Sequence, residues 1–118
     1  MAKGPNQKKK LLALRQILLM RTDEEHPMTI RELIDELARW DIQAERKSLY
    51  DDMEVLRSFG LDVQCRKGRT PGWFVGERQF ELPELKLLVD AVQSSKFITR
   101  RKSDSLIRKL ESLASSFF

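Results

Sequence analysis

Two helices, each with its own start and stop signal and only a few residues between them, constrain this chain more than any other feature. In "MTIRELIDELARW" (28–40), Thr29 is placed to cap a helix and Glu32 to reach back to it, the reciprocal pattern of a capping box. Met28 and Leu33 stand where a hydrophobic staple packs. Ile30, Leu33, Ile34, Leu37 and Ala38 recur at helical spacing and form one apolar face. "DIQAE" follows as a short connection, with Ile42 as its buried anchor. A third helix spans 45–59, in which Leu49, Met53 and Leu56 lie at i, i+4 and i+7 and must face the core. Gly60 is placed as the left-handed residue beyond that helix, and Leu61 to touch Leu56, as a Schellman motif requires. Helix, tight connection and helix are the layout of a helix-turn-helix.

The flanking segments extend this layout. Residues 8–21 read as a first helix, with Leu11, Leu14, Ile17 and Leu18 on one face and Lys and Arg on the other, until "TDEEHP" breaks it. In "LDVQCRKGRTPGWFV", Leu61, Val63 and Cys65 alternate with polar residues, a turn rich in Gly and Pro follows, and "WFV" returns as a second strand. This hairpin, placed directly after a helix-turn-helix, is a wing whose tip, 66–72, carries Arg66, Lys67 and Arg69. Pro83 then opens a fourth helix at its favoured first position, with Leu85, Leu88, Val89 and Val92 apolar. "KFITRRK" interrupts and leaves Arg100, Arg101 and Lys102 between helices. Ser103 caps a last helix, with Leu106, Ile107, Leu110 and Leu113 on one face. The expected fold is mainly α with a small β-hairpin: a winged helix-turn-helix over 1–78, then a C-terminal helical hairpin over 79–118 for dimerisation or linkage.

Composition narrows the function. With 41% hydrophobic and 34% charged residues, the chain suits a soluble globular protein. No apolar run approaches the roughly 20 residues of a membrane span. "LLALRQILLM" is broken by Arg15 and Gln16 and lacks a small-residue cleavage site, so it does not read as a signal peptide. The single Cys65 excludes an internal disulfide and fits a cytoplasmic location. His26 is the only histidine and lies in a polar loop, and one Cys with one His do not make a zinc site. No Gly-rich phosphate loop follows a strand. The expectation is no enzyme activity, no catalytic residues, no metal and no cofactor.

Charge points to a polyanion instead. The net charge is +4, and its distribution is uneven: residues 1–22 hold six bases and no acid, 23–62 hold twelve acids against five bases, and 63–78 hold four bases against one acid. Two basic segments thus flank an acidic one. A recognition helix offers its N-terminal side chains to base edges in the major groove while neighbouring groups hold phosphates. With Leu49, Met53 and Leu56 buried, Arg46, Lys47, Tyr50 and Asp51 face outward and Ser48 lies near the helix start. Arg46 or Lys47 can donate to guanine O6 and N7. Ser48 can bond a phosphate or a base, and Tyr50 a phosphate or a thymine methyl. Arg66, Lys67, Arg69 and Thr70 would make the wing contact, and Thr29 with Arg31 would hold a phosphate at a helix start. The plainer reading of the third helix is a solvated face with an i, i+4 pair, Lys47 to Asp51.

The stretch "TIRELIDELARWDIQAERKSLYDDMEVLRSFGLDV…GWFVGERQFELPELKLLVDAVQSSKF" resembles the N-terminal half of WYL-domain bacterial transcriptional regulators, over roughly residues 8–115. The resemblance implies a DeoR-like winged helix-turn-helix. In that family the third helix typically reads "R-[RK]-[ST]-[IL]-Y-R-D" and its first residues contact DNA. The match covers Arg46, Lys47, Ser48, Leu49 and Tyr50, and also Asp52, which the resemblance makes a framework acid bonding locally beside the core. Asp51 stands where relatives often have Arg. Its carboxylate repels phosphate, can accept from cytosine N4, or orients Lys47. Relatives usually continue into a WYL sensor domain. This chain stops at "SLASSFF", on Phe117 and Phe118, so that domain and any small-molecule ligand are not expected for it.

The expectation is therefore a sequence-specific DNA-binding transcriptional regulator that binds double-stranded DNA. The third helix would lie in the major groove and the wing, 66–72, on the backbone or minor groove. A homodimer through residues 82–115 would match a palindromic site. The alternative is a winged-helix protein–protein interaction module that does not touch DNA.

Overall fold

The computed structural model describes residues 7–116; the first six residues and the terminal Phe117 and Phe118 lie outside it. Among the described residues there are five helices and one two-stranded sheet: α1 (Gln7–Arg21), α2 (Ile30–Arg39), α3 (Arg46–Ser58), β1 (Val63–Arg66), β2 (Gly72–Val75), α4 (Leu82–Gln93) and α5 (Arg100–Glu111). The chain divides into two compact units between Gly76 and Glu77.

In the first unit, α1, α2 and α3 enclose one core. Leu14, Ile17 and Leu18 of α1, Leu33 and Leu37 of α2, and Leu49 and Met53 of α3 are all buried, and Val63 and Val75 close the core from the strands. The inward stripe of α1 departs from expectation in one place. Lys10 precedes Leu14 by four residues and Ile17 by seven, so it shares their face, and it is only 1% exposed. The bases of α1 are thus not all on its outer side. On α2, Ile30 is buried and Ile34 half-buried, but Ala38 is exposed, so the apolar face is narrower than its spacing predicts.

Local signals set the helix ends. Thr29 Oγ1 accepts from the Glu32 N–H at 3.1 Å and Glu32 Oε1 accepts from the Thr29 N–H at 2.9 Å, completing the capping box. α3 ends in a Schellman motif: the Leu61 N–H donates to Leu56 O and the Gly60 N–H to Arg57 O, both at 3.1 Å, with Gly60 at φ 102°. α2 ends the same way, which its sequence does not announce. The Ile42 N–H donates to Leu37 O and the Asp41 N–H to Ala38 O, both at 3.0 Å, while Asp41 holds φ 60°. This turn places Ile42, 5% exposed, in the core.

β1 and β2 pair antiparallel from Val63↔Val75 to Arg66↔Gly72. Arg66 is therefore in the stem, and the tip is 67–71. A third segment joins them: the Met28 N–H donates to Trp73 O at 2.8 Å and the Trp73 N–H to Met28 O at 2.7 Å. The residue just before the α2 cap is thus bonded to the hairpin. Pro27 lies so close that a Cβ on Gly72 would come within 2.7 Å of its ring. Behind β2, the fully buried Thr22 donates to Leu18 O (2.6 Å) and accepts from the Val75 N–H (3.0 Å).

The second unit is a helical hairpin. Glu81 and Glu84 form a reciprocal capping box at the start of α4, which begins at Leu82, one residue before Pro83. The start of α5 differs from expectation. Thr99, not Ser103, is the cap, its hydroxyl accepting from the Lys102 N–H at 3.3 Å. Arg100, Arg101 and Lys102 are therefore the first turn of α5 rather than a linker, because Thr99 offers a capping oxygen before Ser103 does. Leu85 and Val89 are buried, but no residue of α5 is. Among the described residues, no helix is long and apolar enough to cross a membrane.

Candidate nucleic-acid interface

The apolar stripe of α3 decides what its other face presents. With Leu49, Met53 and Leu56 turned inward, Arg46, Lys47, Tyr50 and Asp51 are exposed together over the first two turns. The Lys47–Asp51 pair that their spacing allows is not formed. Among the described residues, Arg46, Lys47 and Asp51 make no ion pair. Farther along, Glu54 pairs with Arg57, and Arg57 also donates from Nε (3.0 Å) and Nη2 (2.8 Å) to Val63 O.

The hairpin adjoins this face. The Tyr50 ring lies 5.7 Å from that of Trp73, centroid to centroid and tilted by 46°. Trp73 is one residue inside the end of the strand pairing, so the ring contact joins α3 to the tip-ward end of the hairpin stem. Lys67, Arg69 and Thr70 are exposed on that tip, and among the described residues neither base has an ion-pair partner. Arg66 stands apart from them. It donates to the Glu24 carbonyl, and its guanidinium carbon lies 5.4 Å from the Phe74 ring centroid. Its head group holds the 22–26 loop against the sheet.

At the start of α2, the Thr29 hydroxyl accepts from Glu32 N–H and its own N–H donates to the Glu32 carboxylate. A phosphate here would meet an amide already occupied and a carboxylate already in place. Arg31 is well exposed and lies 3.8 Å from Asp35, a loose surface pair.

The inner side of α3 holds a group that sequence reasoning missed. Lys10 Nζ lies 2.9 Å from Asp52 Oδ2, with the Lys10 and Asp52 side chains 2% and 17% exposed, and donates to Ser48 Oγ. The contact with Asp52 is an ion pair rather than an aligned hydrogen bond. The resemblance gives Asp52 a local bond, whereas in the structure its partner, Lys10, lies on another helix. Ser48 is half-buried, its oxygen taken by Lys10 while its hydroxyl proton can still be donated outward. The available signal was the register of Lys10 with Leu14 and Ile17.

No protein-family model matches the chain, and no curated protein or solved structure matches it.

Proposed function

We propose that the chain is the DNA-binding part of a sequence-specific transcriptional regulator, with a winged helix-turn-helix formed by α2, α3 and the β1–β2 hairpin. One observation carries this reading: among the described residues the cations at the start of α3 and at the hairpin tip are uncompensated, on two elements joined by the Tyr50–Trp73 ring contact, whereas those elsewhere on α2 and α3 are paired. Arg31, Arg39 and Arg57 have carboxylate partners in Asp35, Glu36 and Glu54. Arg46, Lys47, Lys67 and Arg69 have none among the described residues. A polyanion would supply the missing partner. Arg46 and Lys47 read or clamp the major groove, Tyr50 and Ser48 contact backbone or bases, and Lys67, Arg69 and Thr70 reach the phosphates beside them. In this reading Asp51 subtracts affinity and adds selectivity. Asp51→Arg is then expected to bind more tightly and discriminate less.

The same reading includes a cytoplasmic homodimer through residues 82–115. The α4–α5 hairpin leaves Leu87 70% and Phe97 99% exposed, with Leu82, Leu106 and Leu113 also open. Glu81, Glu84 and Asp90 outweigh Lys86 on α4, whereas Arg100, Arg101, Lys102, Arg108 and Lys109 outweigh Asp104 and Glu111 on α5. A second copy that sets α4 against α5 twice would cover the apolar residues and match the charges.

A protein-interaction module is the second reading. It draws on an open groove of about 520 Å³ between α1 and the end of α2, where Leu12 and Trp40 are 66% and 47% exposed. Selection from a randomised duplex library at about 100 mM salt separates the two. An enriched palindrome is expected. Failure to retain duplex even at low salt would favour the interaction module.

A further inference from the structure

The start of α3 is not secured by its own sequence. Glu45, in the N-cap position, makes no side-chain capping bond, and the first turn contains no acidic residue. What holds it is Lys10, reaching from α1. The ammonium is buried, pairs with Asp52 at 2.9 Å, and donates to Ser48, one turn earlier on the same inner face. Arg46, Lys47, Tyr50 and Asp51 are exposed over these same two turns. Stability alone does not account for this lysine. An unbranched apolar residue in the stripe of Ala13, Leu14, Ile17 and Leu18 would pack as well, and replacing both members of a buried ion pair with apolar residues is often neutral or stabilising. Apolar contacts, however, are non-directional, whereas a cation hydrogen-bonded to Ser48 and paired with Asp52 one turn on constrains both the rotation and the axial position of the helix.

We infer that Lys10 is a positioning residue for the reading end of α3: by holding Ser48 and Asp52 from within, it sets the direction in which Arg46, Lys47 and Tyr50 meet DNA. This rests on the DNA-reading proposal above. It assigns Lys10 a part in selectivity although the side chain touches no ligand.

The test compares the full chain with its K10M/D52L variant. Measurements are thermal melting, affinity for the duplex the wild type enriches, the sequences each enriches, and amide hydrogen exchange across Leu49–Met53. The variant is expected to melt at or above the wild-type temperature yet bind the selected duplex at least about tenfold more weakly, the scale of one lost base contact. Its enriched sequence should blur, exchange in α3 should quicken, and the salt dependence of non-specific binding should stay unchanged. A variant matching the wild type in affinity, selectivity and exchange would overturn the assignment. If the wild type itself enriches no sequence, the DNA reading fails separately, and exchange alone decides: faster exchange in the variant supports positioning by Lys10, and unchanged exchange overturns it. Should K10M/D52L not fold, S48A removes one hold and keeps the ion pair. Quicker exchange at Leu49 and Tyr50 supports the assignment, and none overturns it.

Discussion

Arg57 donates through both Nε and Nη2 to the Val63 carbonyl, at 3.0 and 2.8 Å, and so ties the last turn of α3 to the first residue of β1. With the Tyr50–Trp73 ring contact, this strut sets the hairpin against the outer face of α3. A lysine cannot reproduce a fork aimed at one oxygen. Arg57→Lys is expected to destabilise the protein by about 1 kcal/mol, below the usual range for hydrogen bonds to charged groups because the side chain is partly exposed. Urea denaturation checks this, and an unchanged midpoint would show that the strut contributes nothing.

The ends of α2 and α3 predict opposite signs. Both turns need a left-handed residue, but Asp41 supplies it at φ 60° and Gly60 at φ 102°. Asp41→Gly relieves a side-chain clash with its own backbone and should stabilise by about 0.5–1 kcal/mol. Gly60→Ala should destabilise by about 1–2 kcal/mol, through the backbone alone, since nothing lies within 4 Å of the added Cβ. Equilibrium denaturation of both variants reads the two signs.

Thr22 links α1 to β2 at a fully buried site. Thr22→Val keeps the shape but leaves the Val75 N–H without the oxygen that accepts from it at 3.0 Å. A loss of about 1–3 kcal/mol is expected. Native-state exchange of the Val75 amide should be faster in the variant than in the wild type. An equally slow amide would mean that another acceptor takes over.

On DNA, the proposed interface separates reading from clamping. Arg46→Ala should cost about 1–3 kcal/mol and relax preference at one position. Lys67→Ala should weaken all sequences alike and lower the salt slope by about 0.9. Titrations at several salt concentrations on matched and mismatched duplexes distinguish them. If the two variants behaved identically, the division of labour between α3 and the hairpin would be wrong.

The Lys10–Asp52 pair makes a stability prediction independent of DNA. K10M alone leaves a largely buried carboxylate without its cation and should cost about 3–5 kcal/mol, whereas adding D52L should recover all of it. A melting series of wild type, single and double variants measures this coupling, and additive losses would contradict it.

The capping box at Thr29–Glu32, the buried triplet Leu49, Met53 and Leu56, and the Gly60 turn were legible in the residues themselves. Each depends on interactions within one helix and its flanking residues, so spacing of one to five positions suffices to specify it. The exposed face of α3 followed from the same stripe. What tertiary structure decided lies between distant segments. Lys10 meets Ser48 across 38 positions, and Thr22 meets Val75 across 53. Met28 bonds to Trp73, and Arg66 is drawn into the stem toward Glu24. Such pairings depend on how the helices cross and where the hairpin folds back, which no local periodicity encodes. The start of α5 is an intermediate case: Thr99 and Ser103 both carry a capping hydroxyl, and the cap formed at Thr99. Residue spacing thus set which side chains α3 turns outward, whereas packing of α1 and the hairpin around it set what holds that face in place.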